Sequence, residues 1–227
     1  MRLDFLSLDL TFPITKNQLN QIQIEQHDFF DQAVQSVYYG ISNTDDVVRL
    51  WSDENEYIDL SKNVDMIVSP MDLSYSGTEY RKKIIKLLIS ELERDQYSDF
   101  INSAYSDSLN VLEQVVVMSD YLVEYEPYIQ IEKFLKMIDI HLKEPEGTFI
   151  ERVSEYICNT HRLLGKETFI FANCSAYLKV CDYTQLQTVI NEEAITIILF
   201  ETQDVDESID RISEKYIVDD DICELYL

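Results

Sequence analysis

The sequence predicts an α/β fold: a largely parallel sheet, covered by helices and interrupted by a helical insertion. Three features carry this. Residues 148–201 read as helix, buried strand, helix and second buried strand, the order of a βαβ crossover. Residues 76–120 read as two long helices with a short connection, and strands precede and follow them in the chain. Of 227 residues, 46% are hydrophobic and only four are Gly and four Pro, which leaves little material for flexible linkers.

In the crossover unit, Thr148 and Glu151 bracket a helix start as a capping box. Phe149, Ile150, Val153, Tyr156, Ile157 and Leu164 recur at helical spacing, and Gly165 stands where a helix end takes a left-handed residue. Thr168, Phe169, Ile170, Phe171 and Ala172 form a buried strand ended by the turn Asn173-Cys174-Ser175. A helix from about Asp182, with Gln185 as its box partner, runs to Asn191 and leads into a strand over residues 195–200.

Ahead of this unit, residues 3–10 and Thr11-Phe12-Pro13 suit an edge strand or hairpin arm. Residues 19–25 form a strand with Ile22 and Ile24 on one face. The helix after it, residues 28–39, turns Phe29, Ala33, Val34 and Val37 inward and stops at Gly40. A nucleotide-binding loop would fall between this strand and helix. The linker Glu25-Gln26-His27 has no Gly, so the backbone cradle and the lysine of a Walker A motif are both absent, which weighs against ATP hydrolysis. Residues 45–59 are polar, hold the only Trp, Trp51, and suit short strands. Residues 64–68 form a second buried-type strand closed by Ser69-Pro70. Asp72 beyond it resembles a Walker B acid, but without a phosphate loop it reads as a turn or cap residue.

The insertion opens at Ser76-Gly77-Thr78-Glu79. Its first helix places Ile84, Ile85, Leu88 and Leu92 on one face and Lys82, Lys83 and Lys86 on the other, and its second spans residues 99–118. Residues 120–126 read as a short strand, and Pro127 starts a helix carrying Ile131, Phe134, Leu135 and Ile138. Ile140-His141-Leu142 suits another short strand before the turn at residues 144–147. The resulting domains are 1–75 with 145–227, α/β, and 76–144, helical. After residue 200 come an acidic loop, 204–207, and two short tail segments, 216–218 and 222–227.

The formal net charge is −25, from 43 acidic and 18 basic residues, which argues against a general polyanion-binding surface but leaves room for a segregated basic patch. Cys158, Cys174, Cys181 and Cys223 have no CxxC or CxxH spacing and read as reduced thiols of a cytosolic protein. No signal peptide and no run of membrane-spanning length is visible. His27, His141 and His161 lie far apart, and no HExxH, GxSxG or kinase signature occurs, so no catalytic residue is assigned and the chain is not expected to be an enzyme. Glu124, Glu126 and Glu132 could supply several of the roughly six to eight oxygens that calcium takes; the alternative is a solvated acidic edge. The triplet Asp219-Asp220-Asp221 lacks the spacing of an EF-hand loop. Arg81, Lys82, Lys83 and Lys86, with Lys133 and Lys136 near the hinge, are the candidate phosphate contacts; the alternative is that they face water.

The sequence resembles the Csn-two proteins of type II-A CRISPR systems. The resemblance is carried by Phe5-Leu6-Ser7-Leu8-Asp9 with Pro13-Ile14, by Asp65-Met66-Ile67-Val68-Ser69-Pro70-Met71-Asp72 and by Phe134-Leu135-Lys136-Met137-Ile138-Asp139-Ile140. Its most specific stretch is Phe169-Ile170-Phe171-Ala172-Asn173-Cys174-Ser175-Ala176-Tyr177-Leu178, and the tail Tyr216-Ile217-Val218-Asp219-Asp220-Asp221 with Leu225-Tyr226-Leu227 is similar too. The resemblance implies an α/β, P-loop-NTPase-like head domain, degenerate and without a Walker A loop, with an inserted helical leg domain. It implies a non-catalytic homotetrameric ring that binds Ca2+ and the ends of linear double-stranded DNA. It also implies a place in spacer acquisition, for antiviral defence, beside the CRISPR integrase and effector nuclease. By the same resemblance Glu124, Glu126 and Glu132 match the calcium-holding acids at the leg-to-head hinge, where Pro127 departs from the family pattern. A four-chain ring multiplies the negative charge fourfold, which calls for bound cations and a segregated basic channel. The competing expectation is a protein-only scaffold on a degenerate NTPase fold that recruits a basic partner such as the integrase.

Overall fold

The computed structural model describes residues 1–42, 47–69, 71, 73–94, 97–118, 124, 126, 128–203, 214–219 and 224–226. They fall into two compact units, Met1–Ser74 with Glu144–Leu227, and Tyr75–Lys143.

The first unit begins with a hairpin, β1 (Arg2–Phe5) and β2 (Leu10–Pro13), followed by β3 (Leu19–Ile24) and α1 (His27–Ile41). Next come β4 (Val48–Trp51), β5 (Tyr57–Ile58), the single turn α2 (Leu60–Asn63) and β6 (Val64–Ile67). The second unit contains α3 (Thr78–Arg94), α4 (Ser98–Val117) and α5 (Ile131–Met137). The chain then returns to the first unit with α6 (Phe149–Leu164), β7 (Thr168–Ala172), α7 (Val180–Glu193), β8 (Thr196–Glu201), β9 (Glu214–Val218) and β10 (Glu224–Tyr226).

Two sheets form. The larger has the order β10-β9-β3-β8-β7-β6, with β9, β3, β8, β7 and β6 parallel and β10 antiparallel at one edge. The smaller, β2-β1-β4-β5, is antiparallel. Alternation along the central strands divides their side chains between two cores, as period-2 geometry requires. Ile22, Ile198 and Phe200 pack with Leu3, Phe5 and Phe12 of the small sheet and with Ala33 and Val37 of α1. Ile197, Leu199, Phe169 and Phe171 pack on the opposite face with Val153 and Ile157 of α6 and Leu186 and Ile190 of α7. The large sheet is thus the middle of three layers, and β3, β7 and β8, buried along their whole length, are its centre.

Several local expectations are corrected. Gly40 does not stop α1: it lies inside the helix and is buried, because a Cβ there would stand 2.9 Å from Leu60 Cδ1 of the adjoining turn. The N-terminal residues form the expected hairpin, in a separate sheet with β2 at its edge, whereas β6, expected as a buried strand, is the edge strand of the large sheet and only half-buried. α7 begins at Val180 rather than Asp182, whose carboxylate reaches back to the Lys179 N–H at 2.8 Å. Ile140, His141 and Leu142 form no strand. Of the strand expected over 120–126, only Glu124 and Glu126 are among the described residues, and neither is in a strand; Pro127, Asp72, the loop 204–207, Cys223 and two residues of the triplet 219–221 lie outside them. At α6, Glu151 caps Thr148 N at 2.8 Å and Gly165 is left-handed at φ 74°, as expected.

Candidate nucleic-acid interface and acidic hinge

All nine predicted site residues lie in the second unit. α3 has no Gly or Pro and carries Glu79 in its first turn and Arg94 in its last, favourable signs for both helix ends. Tyr80 and Ile85 are buried, Tyr75 packs edge-on against Tyr80 at 5.2 Å, α5 lies against α3, and Leu135 of α5 is buried. This fixes the other side of α3 outward. Lys82, Lys83 and Lys86, three and four residues apart, share that side, are exposed and make no ion pair among the described residues.

The other three candidate cations are engaged. Arg81 Nη2 stands 3.6 Å from Asp139 Oδ1, Lys133 Nζ 3.4 Å from Glu126 Oε2, and Lys136 Nζ donates to Glu132 Oε1 at 2.6 Å. The last pair, with Glu four residues ahead of Lys on α5, is the favoured helical orientation, and the Lys136 hydrogen bond holds the Glu132 carboxyl below its usual range. Glu124 and Glu126 are exposed and precede α5. Among the described residues no three His, Cys, Asp or Glu side chains are grouped so as to hold a metal ion, and Glu126 and Glu132 are each turned to a lysine.

The place where a nucleotide fold binds phosphate, beyond the carboxyl ends of the parallel strands, lies in the first unit. Between β3 and α1 the Gln26 carboxamide oxygen accepts the Phe29 N–H at 2.7 Å, and the Glu25 N–H donates to Val218 O at 3.0 Å. The linker's own side chain therefore caps the helix where a glycine-rich cradle would stand. At the ends of β7 and β8 the buried Glu201 carboxylate accepts the N–H of Cys174 at 3.1 Å, the N–H of Ser175 at 3.0 Å and the Ser175 hydroxyl at 2.6 Å. Asn173, left-handed at φ 51°, accepts from Thr202 N at 3.2 Å. Burial raises the Glu201 carboxyl above its ordinary value, and these donors oppose the shift. The crevice end of the sheet is closed by internal bonds.

Sequence reasoning missed Glu201, Ser175 and their contact. The signal was present: an acid directly after the apolar run 197–200 cannot be buried without donors, and Asn173-Cys174-Ser175 is the turn that supplies them. It also missed Lys166, whose buried ammonium donates to Ser61 O and to Val64 O at 2.9 Å, and Asp65, which accepts from Tyr156 OH at 2.9 Å.

Comparison with known proteins bears on the identity of this architecture. The crystal structure of Stu0660 of Streptococcus thermophilus superposes with a TM-score of 0.63 at 12% identity, over 100% of this chain and 76% of that one. CbiO1 from Clostridium perfringens, part of the ABC transporter complex cbiONQ, gives 0.49 at 15% identity, over 92% of this chain and 76% of that one. The ATP-binding cassette MJ1267 in its ADP conformation gives 0.46 at 13%, over 95% and 85%. No curated protein matches by sequence. The first unit is an α/β domain built on a mostly parallel sheet, with no Walker A loop between β3 and α1, and the second is the helical insertion. The family model for the CRISPR-associated protein Cas_Csn2 matches residues 42–222, and with that match covering most of its length the chain belongs to this CRISPR-associated family.

Proposed function

We propose that the chain is a non-catalytic subunit of a cytoplasmic tetrameric ring that binds the ends of linear double-stranded DNA without reading sequence, during spacer acquisition with the CRISPR integrase and effector nuclease. The observation that carries the DNA part is the stripe of Lys82, Lys83 and Lys86 on α3, exposed and without an ion pair among the described residues, in a chain of net charge −25. Three ammonium groups on one helix side track phosphates without reaching base edges. Support for a ring comes from α4, where Phe100, Val111, Val115 and Met118 fall on one side of the helix and are exposed, Met118 by 88%. Support for the absence of catalysis is the capped β3–α1 linker and the closed end of β7 and β8.

Calcium at Glu124, Glu126 and Glu132 belongs to the same proposal. Its support is the family resemblance, since in this arrangement Lys133 and Lys136 hold two of the three acids. The test is retention of linear against closed circular duplex by the intact protein, with and without chelator. Linear duplex is expected to be retained and circles released. Equal retention overturns threading, and a tetramer mass and DNA affinity indifferent to chelator overturn calcium.

The ion pairs of Arg81, Lys133 and Lys136 favour a second reading, because they remove half of the six candidate cations from competition for phosphate. In it the head is a scaffold whose acidic surface takes a basic protein. A gel shift at low salt with added calcium separates the two: no shift of any duplex leaves the scaffold.

A further inference from the structure

At the amino ends of β7 and β8, on the face toward the small sheet, lies a cavity of about 240 Å³. Its rim is acidic: Asp53, Glu54 and Glu56 from the β4–β5 connection and Glu167 ahead of β7. Two of these charges are already answered. The Met1 ammonium pairs with Asp53, and Lys16 Nζ stands 3.9 Å from Glu167. Glu54 and Glu56 are exposed, meet no cation among the described residues, and leave the rim with two negative charges in excess.

The floor gives an independent observation. Thr196 is buried and its hydroxyl accepts the Asn17 N–H at 2.9 Å. Thr168 is 2% exposed, lines the cavity, and has no hydrogen-bond partner for its hydroxyl among the described residues. A hydroxyl on a residue 2% exposed that lines the cavity has an open hydrogen-bonding capacity that a ligand would use. The residues around it do not make a metal centre, since no three metal-binding side chains are grouped there. An ammonium fits instead: it donates in three directions, tolerates a hydroxyl beside carboxylates, and brings an alkyl stem suited to the apolar wall at Ile58.

From the acidic rim and the partnerless buried hydroxyl together we infer that this cavity binds an aliphatic ammonium, one group at Thr168 and a second positive charge near Glu54 and Glu56. The site lies in the head, apart from the lysine stripe of α3, and does not depend on DNA binding. Two sources offer this chemistry, a free diamine and a pair of adjacent lysine side chains of another protein.

The experiment is calorimetric titration of the full chain with cadaverine, and separately with the capped peptide Ala-Lys-Lys-Ala, each of which carries two ammonium groups. The expected result is one saturable site per chain. It weakens at least tenfold in Glu54→Gln/Glu56→Gln and severalfold in Thr168→Val, and it is retained in Thr168→Ser. It is unchanged in Glu155→Gln/Glu192→Gln, which removes the same charge from exposed positions elsewhere. Tighter cadaverine binding assigns a free amine, and tighter peptide binding assigns a protein side chain. Equal loss in the two charge variants, full affinity in a folded Thr168→Val, or no saturable heat with either probe overturns the site.

Discussion

The Ser175 hydroxyl donates to the Glu201 carboxylate at 2.6 Å, joining the ends of two parallel strands. The same carboxylate satisfies the N–H groups of Cys174 and Ser175, so its removal strands buried donors as well as deleting a bond. Glu201→Ala is expected to cost about 2–4 kcal/mol of unfolding free energy, and Glu201→Gln, which keeps the volume and one acceptor, about 1 kcal/mol. Urea unfolding of both variants measures this. An equal loss in the two would mean that charge rather than N–H satisfaction matters.

Asp65 and Glu201 make stability depend on pH in the same direction. Burial is the largest influence on each and raises both carboxyl pKa values. A carboxyl with a raised folded pKa holds its proton more tightly folded than unfolded. Its contribution is complete below the ordinary carboxylate range and is lost as pH rises from about 4 through the raised value. Asp65→Asn is expected to flatten that decline. Tyr156→Phe, which removes a hydrogen bond that opposes the shift, is expected to steepen it. Unfolding midpoints from acid to neutral pH report both.

The cysteines should separate by reactivity. Cys174 is fully buried, its thiol donates to Ile67 O and Ala172 O, and burial pushes its pKa up to about 12. Cys181 is exposed. Brief alkylation of the folded protein at pH 8, followed by peptide mapping, should modify Cys181 and spare Cys174. Comparable labelling would show that the β7 turn opens readily.

For the lysine stripe the measurement is a slope. Replacing Lys82, Lys83 and Lys86 by Gln removes three phosphate contacts and should reduce the dependence of log affinity on log salt by about 2.7 for duplex DNA. Lys133→Gln and Lys136→Gln, which remove paired cations, should change it less. Identical slopes for the triple variant and the parent would exclude the stripe from the interface.

The sheet was readable because its strands are extreme. β7 and β8 are short, largely apolar runs buried on both faces, β3 shows itself by Ile22 and Ile24 on one face, and the capping pair Thr148 and Glu151 marks its helix without tertiary help. Gly40 misled because the residue reads as a helix stop, whereas its lack of a side chain serves the approach of Leu60. Of the site, the facing of Lys82, Lys83 and Lys86 followed from helical period alone. The engagement of Glu126 and Glu132 by Lys133 and Lys136 did not, because charge spacing on a short helix allows either pairing or a shared cation, and only the fold chooses.

Ser74 Oγ donates to Glu144 Oε1 at 2.9 Å, across 70 residues of chain. The whole helical insertion therefore leaves and re-enters the head at one point. β6 and β7 can pair only when the ends of that excursion have met, and the Lys166 ammonium closes a longer loop still onto Val64, 102 residues away. Loop closure grows only with the logarithm of length, so the stability penalty is small, but the search is long and parallel pairing of this kind is slow. An insertion that folds early shortens the effective loop. Refolding of the head should thus be timed by helices that contribute nothing to its core.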